Sequence, residues 1–260
     1  MKARIRDVVI NYEIEGPQRA PVVTFSHSLA AALDLWEFQV SALSDLYRVL
    51  RYDMRGHGNS SATPGAYTVE MLNEDLLGLL DYLNIQRTHF VGISMGGMIG
   101  QVLAINHPDR LAKLVLCDTT GRVPAENVPL LEERIRIAET KGMEPMADET
   151  LARWLSDEFR RKSPEVTGRI RETIVRTPVP GYVGCSRAIG VFDVASELSK
   201  ISAPTLIMVG EKDLSTPVTA AETINQNIHG SELFVIPGAL HLSNVEGATL
   251  FNERLLRFLA

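Results

Sequence analysis

The segment Gly92-Ile93-Ser94-Met95-Gly96-Gly97 constrains this chain more than any other. It follows the apolar, β-branched run His89–Ile93 and opens a helical pattern over Met98–Asn106. A serine set between glycines where a strand turns into a helix needs a turn so tight that Cβ atoms at its edges would collide. Its own backbone is strained, so that the hydroxyl stands clear of the sheet edge. A chance turn sequence would not need that strand–turn–helix setting. Ser94 is therefore the candidate nucleophile.

The surrounding pattern supplies a sheet for such a turn. The runs Val22–Ser26, Tyr47–Tyr52, His89–Ile93, Leu111–Cys117, Thr205–Val209 and Leu233–Ile236 are short and almost wholly apolar, as buried parallel strands are. Amphipathic segments separate them; Val69, Leu72, Leu76, Leu79, Leu80 and Leu83 recur at helical spacing. The predicted fold class is α/β, a mostly parallel sheet flanked by helices. The alternation lapses over 123–190, a helical, Arg- and Glu-rich stretch with an apolar stripe of Leu151, Trp154, Leu155 and Phe159. The spacing predicts a helical cap at 123–190 over the carboxyl edge of a core made of 1–122 and 191–260. The cap holds 11 Lys+Arg against 11 Asp+Glu, so the whole formal charge of −6 belongs to the core.

A serine hydroxyl is a weak nucleophile and needs a base. In sheets that carry such a turn the chain order is serine, acid, histidine. Of 6 histidines, His241 comes last, after the final strand and a Pro237-Gly238 turn. His27, His57, His89, His107 and His229 are read as structural or exposed from their places in the chain. The acid that fixes the tautomer of His241 is expected at Asp213, past the strand Thr205–Val209. Asp118, at the end of Leu111–Cys117, is the rival, with capping of the Thr119-Thr120-Gly121 loop as its plainer role. Two backbone amides should form an oxyanion hole: Met95, after the nucleophile, and Leu29, in the loop His27-Ser28-Leu29-Ala30.

The bulk numbers exclude other classes. With 260 residues, 45% of them hydrophobic, the chain suits one large domain, and a net charge of −6 argues against a nucleic-acid partner. No apolar run reaches the roughly 18 residues that would cross a bilayer. The start, Met1-Lys2-Ala3-Arg4-Ile5-Arg6-Asp7, shows no secretory signal, and Cys117 and Cys185 are expected as reduced thiols. A cytoplasmic protein without metal or cofactor is the expectation; oligomeric state is not legible.

These residues carry a resemblance. Asp53-Met54-Arg55-Gly56-His57-Gly58-Asn59-Ser60 resembles the D-x-R-G-x-G-x-S turn of α/β-hydrolases, and the Ser94 segment resembles their nucleophile elbow. More narrowly, the chain looks like the 3-oxoadipate enol-lactonases of aromatic-compound catabolism, the β-ketoadipate pathway. That likeness lies in Ser28-Leu29, Gly142-Met143 through Arg153-Trp154, Gly181-Tyr182-Val183-Gly184-Cys185, and His241-Leu242-Ser243-Asn244-Val245-Glu246. The resemblance implies cofactor-free hydrolysis of an enol-lactone, with Ser94, Asp213 and His241 as the triad. His27 and Ala30 stand where many enol-lactonases are expected to carry Asn and Gly. Competing implications are a general carboxylesterase, an acyl-lactone hydrolase, a carbon–carbon bond hydrolase of ring cleavage, or a slow-turnover small-molecule receptor. A substrate carboxylate would need a cationic partner, for which Arg153 and Arg187 are candidates; Trp154 either lines the pocket or packs the cap.

Overall fold

A computed structural model describes residues 1–260. Eight strands form one sheet: β1 (Lys2–Ile5), β2 (Val8–Glu15), β3 (Val22–Ser26), β4 (Arg48–Tyr52), β5 (Thr88–Ile93), β6 (Leu111–Cys117), β7 (Thr205–Gly210) and β8 (Glu232–Ile236). Their order is β1-β2-β4-β3-β5-β6-β7-β8. All pairs from β4 to β8 are parallel, while β1·β2 and β2·β4 are antiparallel. The hairpin β1–β2 is absent from the sequence reading, which starts the sheet at Val22. Its strands alternate buried and more exposed residues instead of forming an apolar run, because one face meets solvent.

The helices are α1 (Glu37–Leu43), α2 (Val69–Tyr82), α3 (Met95–Asn106), α4 (Val128–Lys141), α5 (Ala147–Trp154), α6 (Asp157–Lys162), α7 (Pro164–Arg176), α8 (Val179–Gly190), α9 (Val218–Asn227), α10 (Ser243–Glu246) and α11 (Ala248–Leu259). None is long and apolar enough to cross a membrane. Helix α2 shows how the sequence sets such an element. The Thr68 side chain accepts the Met71 N–H at its start, and Leu72, Leu76, Leu79 and Leu80 bury one face. Each buried leucine contributes about 1.5–3 kcal/mol. Apolar clusters of 37 and 33 buried residues cover the two faces of the sheet, which is why its central strands carry apolar residues on both sides.

Register brings the chemistry to one edge. Ser26 pairs with Gly92, Ile93 with Cys117, Cys117 with Met208, and Gly210 with Ile236. The loops after β3, β5, β6, β7 and β8 therefore emerge side by side. They carry Leu29, Ser94, Asp118, Asp213 and His241. Helices α4 to α8 lie between β6 and β7 in sequence. The two ends of that helical stretch are clasped: Val123 N–H donates to Phe192 O at 3.1 Å, Val194 N–H to Gly121 O at 2.8 Å, and Arg122 pairs with Asp193 at 2.7 Å. Near its far end, Gly181 on α8 lies against Gly56 of the Asp53–Ser60 turn. A Cβ on Gly181 would sit 2.0 Å from the Gly56 carbonyl oxygen.

Candidate active site

Ser94 occupies the junction of β5 and α3 with φ 55° and ψ −115°. That conformation costs a non-glycine residue on the order of 1–3 kcal/mol. Hydrogen bonds hold it: Ser94 N–H donates to Cys117 O at 2.8 Å, and the Thr119 hydroxyl donates to Ser94 O at 2.7 Å. The flanking glycines are sterically required. A Cβ on Gly92 would meet the Gly96 carbonyl oxygen at 2.2 Å, and one on Gly96 the Ser26 carbonyl oxygen at 2.2 Å. Helix α3 begins at Met95, three residues before the sequence reading starts it at Met98, so the first free N–H groups of the helix point toward the turn.

His241 is buried, and its Nδ1 lies 2.8 Å from Asp213 Oδ2. Asp213 is itself fully engaged. Its Oδ1 accepts the Ser215 and Thr216 N–H groups at 2.7 and 3.1 Å, and its Oδ2 also accepts the Thr216 hydroxyl at 2.6 Å. An acceptor-only carboxylate fixes the imidazole as the Nδ1–H tautomer, leaving Nε2 free to take a proton. Burial pushes the Asp213 carboxyl up, but the charge and hydrogen bond of His241, with Thr216, outweigh it and hold the group below its usual range. Burial likewise pushes His241 down, and the charge and hydrogen bond of Asp213 reverse this, leaving the imidazole above its ordinary value.

Asp118 is also brought to this edge, but to other partners. It is fully buried, with Gly210 N–H donating to Oδ1 at 2.8 Å and the Ser243 hydroxyl to Oδ2 at 2.5 Å. It thus ties the end of β6 to β7 and to the residue two beyond His241; the expected cap of the Thr119-Thr120-Gly121 loop is not what it forms. Burial first, and the charge of Asp213 second, push its carboxyl well above the usual range.

The loop after β3 is shaped by two histidines. His27 Nε2 accepts the Met54 N–H at 2.9 Å, so its Nδ1 carries the proton donated to Ser28 O at 2.7 Å. His57 Nε2 accepts the Ala30 N–H at 3.0 Å. Both imidazoles are neutral: burial pushes His27 down to about 4, and burial with the neighbouring His27 pushes His57 down to about 3. Ala30 keeps a left-handed φ of 59°, the conformation a glycine would take without strain.

Ser94, His241, Leu29 and Trp154 line one cavity of about 810 Å³. A shallow hollow of about 30 Å³ between α7 and the Ala31–Phe38 segment holds none of these residues. Trp154 is buried, with its ring centroid 6.4 Å from that of His241, so it both lines the cavity and packs over the imidazole. Arg153 also lines the cavity, whereas Arg187 does not. Arg187 is half-exposed and paired with Glu139 at 3.2 Å, one turn too far round α8 to face inward. Arg134, overlooked in the sequence, faces the cavity with Asn127, Leu130 and Leu131. Their spacing along α4 is helical, and a stripe of mixed polarity was the available signal.

A parallel sheet with a strained serine at a carboxyl-edge turn, a histidine and a buried acid defines an α/β-hydrolase. The chain belongs to the alpha/beta hydrolase fold family, whose sequence model matches residues 21–248, and it is an ester-hydrolysing enzyme. Within the family it is similar to 3-oxoadipate enol-lactonase 2 of Acinetobacter baylyi, with 34% identity over 95% of this chain and 92% of that protein. It also superimposes on the crystal structure of the enol-lactonase from Burkholderia xenovorans LB400, with a TM-score of 0.96, 37% identity, and coverage of 100% of this chain and 99% of that one. A protein of Variovorax paradoxus named as a carbamate hydrolase is 29% identical over 96% of each chain.

Proposed function

We propose that the enzyme hydrolyses 3-oxoadipate enol-lactone to 3-oxoadipate through an acyl-enzyme on Ser94. The observation that carries this reading is the shared cavity of a strained Ser94 and a His241 held by Asp213, in a chain similar to enol-lactonases along its whole length. His241 Nε2 takes the Ser94 proton as Oγ attacks the lactone carbonyl. The Leu29 and Met95 amides receive the developing oxyanion, at a few kcal/mol for each donor. The carbon–oxygen bond of the ring then breaks, His241 returns the proton to the enolic oxygen, and the enol ketonises. A water molecule, deprotonated by the same histidine, attacks the acyl carbon, releases the new carboxylate and restores the Ser94 hydroxyl.

The test is kcat/KM on the enol-lactone against a neutral ester of similar size. A clear preference for the lactone supports the reading; equal or better turnover of the neutral ester replaces it with a general carboxylesterase. The similarity to a carbamate hydrolase favours a second reading, in which the same nucleophile attacks a carbamate carbonyl. A carbamate in the same panel separates the two.

A further inference from the structure

We infer that Arg134 and Arg153 form a subsite for a single carboxylate, so that the preferred ester or lactone is a monoanion whose charge lies away from the bond that is cut. The inference rests on ester hydrolysis at Ser94 and names the substrate class of that site. The two arginines come from different helices, α4 and α5, and both line the cavity that holds Ser94 and His241. Their side chains are only 20% and 25% exposed, against 46% for Arg187 on the outer surface. They are cations turned inward, whereas Arg187 is a solvated surface group.

Their protein partner satisfies them incompletely. One carboxylate serves both: Glu149 Oε1 lies 2.5 Å from Arg153 Nη1 and 3.3 Å from Arg134 Nη2. Arg153 donates further only to the Thr150 hydroxyl at 3.2 Å, and Arg134 Nε is buried with no partner at all. Two guanidiniums against one carboxylate leave a surplus of one positive charge facing the cavity. Glu149 is itself 64% exposed, so water weakens its hold. Burial and the charge of Arg134 together lower the proton affinity of Arg153, the mark of two cations crowded where solvent reaches poorly. An incoming carboxylate relieves that crowding, and guanidinium donors suit its planar geometry. The surplus matches one negative charge and not two. Hydrolysis then creates a second carboxylate at the other end of the cavity, beside the ionised Asp213, which favours departure of the product.

The experiment compares a mono-4-nitrophenyl dicarboxylate ester with a neutral 4-nitrophenyl ester of equal length, reading the ratio of their kcat/KM values. The wild type should prefer the anionic ester. Arg134→Met and Arg153→Met should each lower that ratio roughly tenfold or more, with the conservative Arg153→Lys falling less. Glu149→Gln removes the competing charge and should raise the ratio. An unchanged ratio in both methionine variants overturns the subsite. So does a Glu149→Gln ratio that falls with theirs, since Glu149 would then only prop the arginines. Calorimetry of Ser94→Ala protein with monomethyl glutarate separates this from the hydrolase reading. Binding that is lost on adding Arg153→Met supports the subsite even if no ester is turned over, and no binding to Ser94→Ala protein overturns it.

Discussion

Asp213 Oδ2 stands 2.8 Å from His241 Nδ1, while its other oxygen is committed to two backbone N–H groups. Asparagine at this position must keep its carbonyl on Ser215 and Thr216, so its NH₂ faces the imidazole and forces the proton onto Nε2. Asp213→Asn should therefore lower kcat by about 10⁴ with little change in KM, measured by steady-state kinetics. Asp118→Asn should be far milder. A buried carboxyl with a raised pKa is already close to neutral, and the Ser243 hydroxyl can turn to accept an amide proton. A reversal of the two results would move the acid to the end of β6.

The activity should depend on pH through His241. Only the neutral imidazole accepts the serine proton, and its pKa is raised in the folded enzyme. The kcat/KM profile should rise with pH through one ionisation above the ordinary imidazole value of 6.5, and be lost below it. A flat profile from about pH 5 to 9 with chemistry rate-limiting would remove His241 from the role of base.

Ser94 sits in a conformation that favours glycine. Ser94→Ala should abolish nearly all hydrolysis while the protein stays folded, and an organophosphonate should label Ser94 in the wild type. Ser94→Gly should also be inactive, yet melt at a higher temperature than Ser94→Ala because the strain of about 1–3 kcal/mol is released. Differential scanning calorimetry of the two variants decides it.

Acid should loosen the oxyanion loop. His27 and His57 have folded-state pKa values near 4 and 3, below the ordinary 6.5, so the unfolded chain binds more protons in that window. Their contribution is complete above 6.5 and falls as the pH drops toward 4 and then 3, because a protonated Nε2 can no longer accept Met54 or Ala30 N–H. Urea titrations should show stability falling by a few kcal/mol over that range, and less so in His27→Gln. Equal slopes in the two proteins would contradict this.

Gly181→Ala places a methyl 2.0 Å from a backbone oxygen. It should cost about 3 kcal/mol or more, since the atom it meets cannot rotate away, and it should impair activity by shifting Tyr182 in the cavity wall. Gly142→Ala meets nothing within 4 Å and, with its φ of 76°, should lose only about 1 kcal/mol to backbone strain. Chemical denaturation of the two variants measures the difference.

What was legible followed from local chemistry. Ser94 announced itself through glycines whose steric need is local, and the strands β3 to β8 through continuous apolar runs. The placement of Asp213 and His241 needed only chain order and the ends of strands. The hairpin β1–β2 was missed because alternation in a charged segment is a weak signal. Arg134 was missed, and Arg187 taken instead, because which way a helical side chain faces depends on the helix packed against it. The partners of Asp118 lie on β7 and α10, and no local pattern reveals a bond to Gly210 or Ser243.

The contact between Gly56 and Gly181 also has a meaning for descent. One glycine belongs to the turn that steadies the oxyanion loop, the other to the helix that walls the cavity. A side chain at either place would need the opposite backbone to retreat, so each position can vary only as far as the other allows. Transplanting the helical stretch of a relative onto this core, or the reverse, should succeed where both partners bring the glycine pair and fail where one does not. The two segments are inherited as a unit, although most of the chain's residues lie outside both.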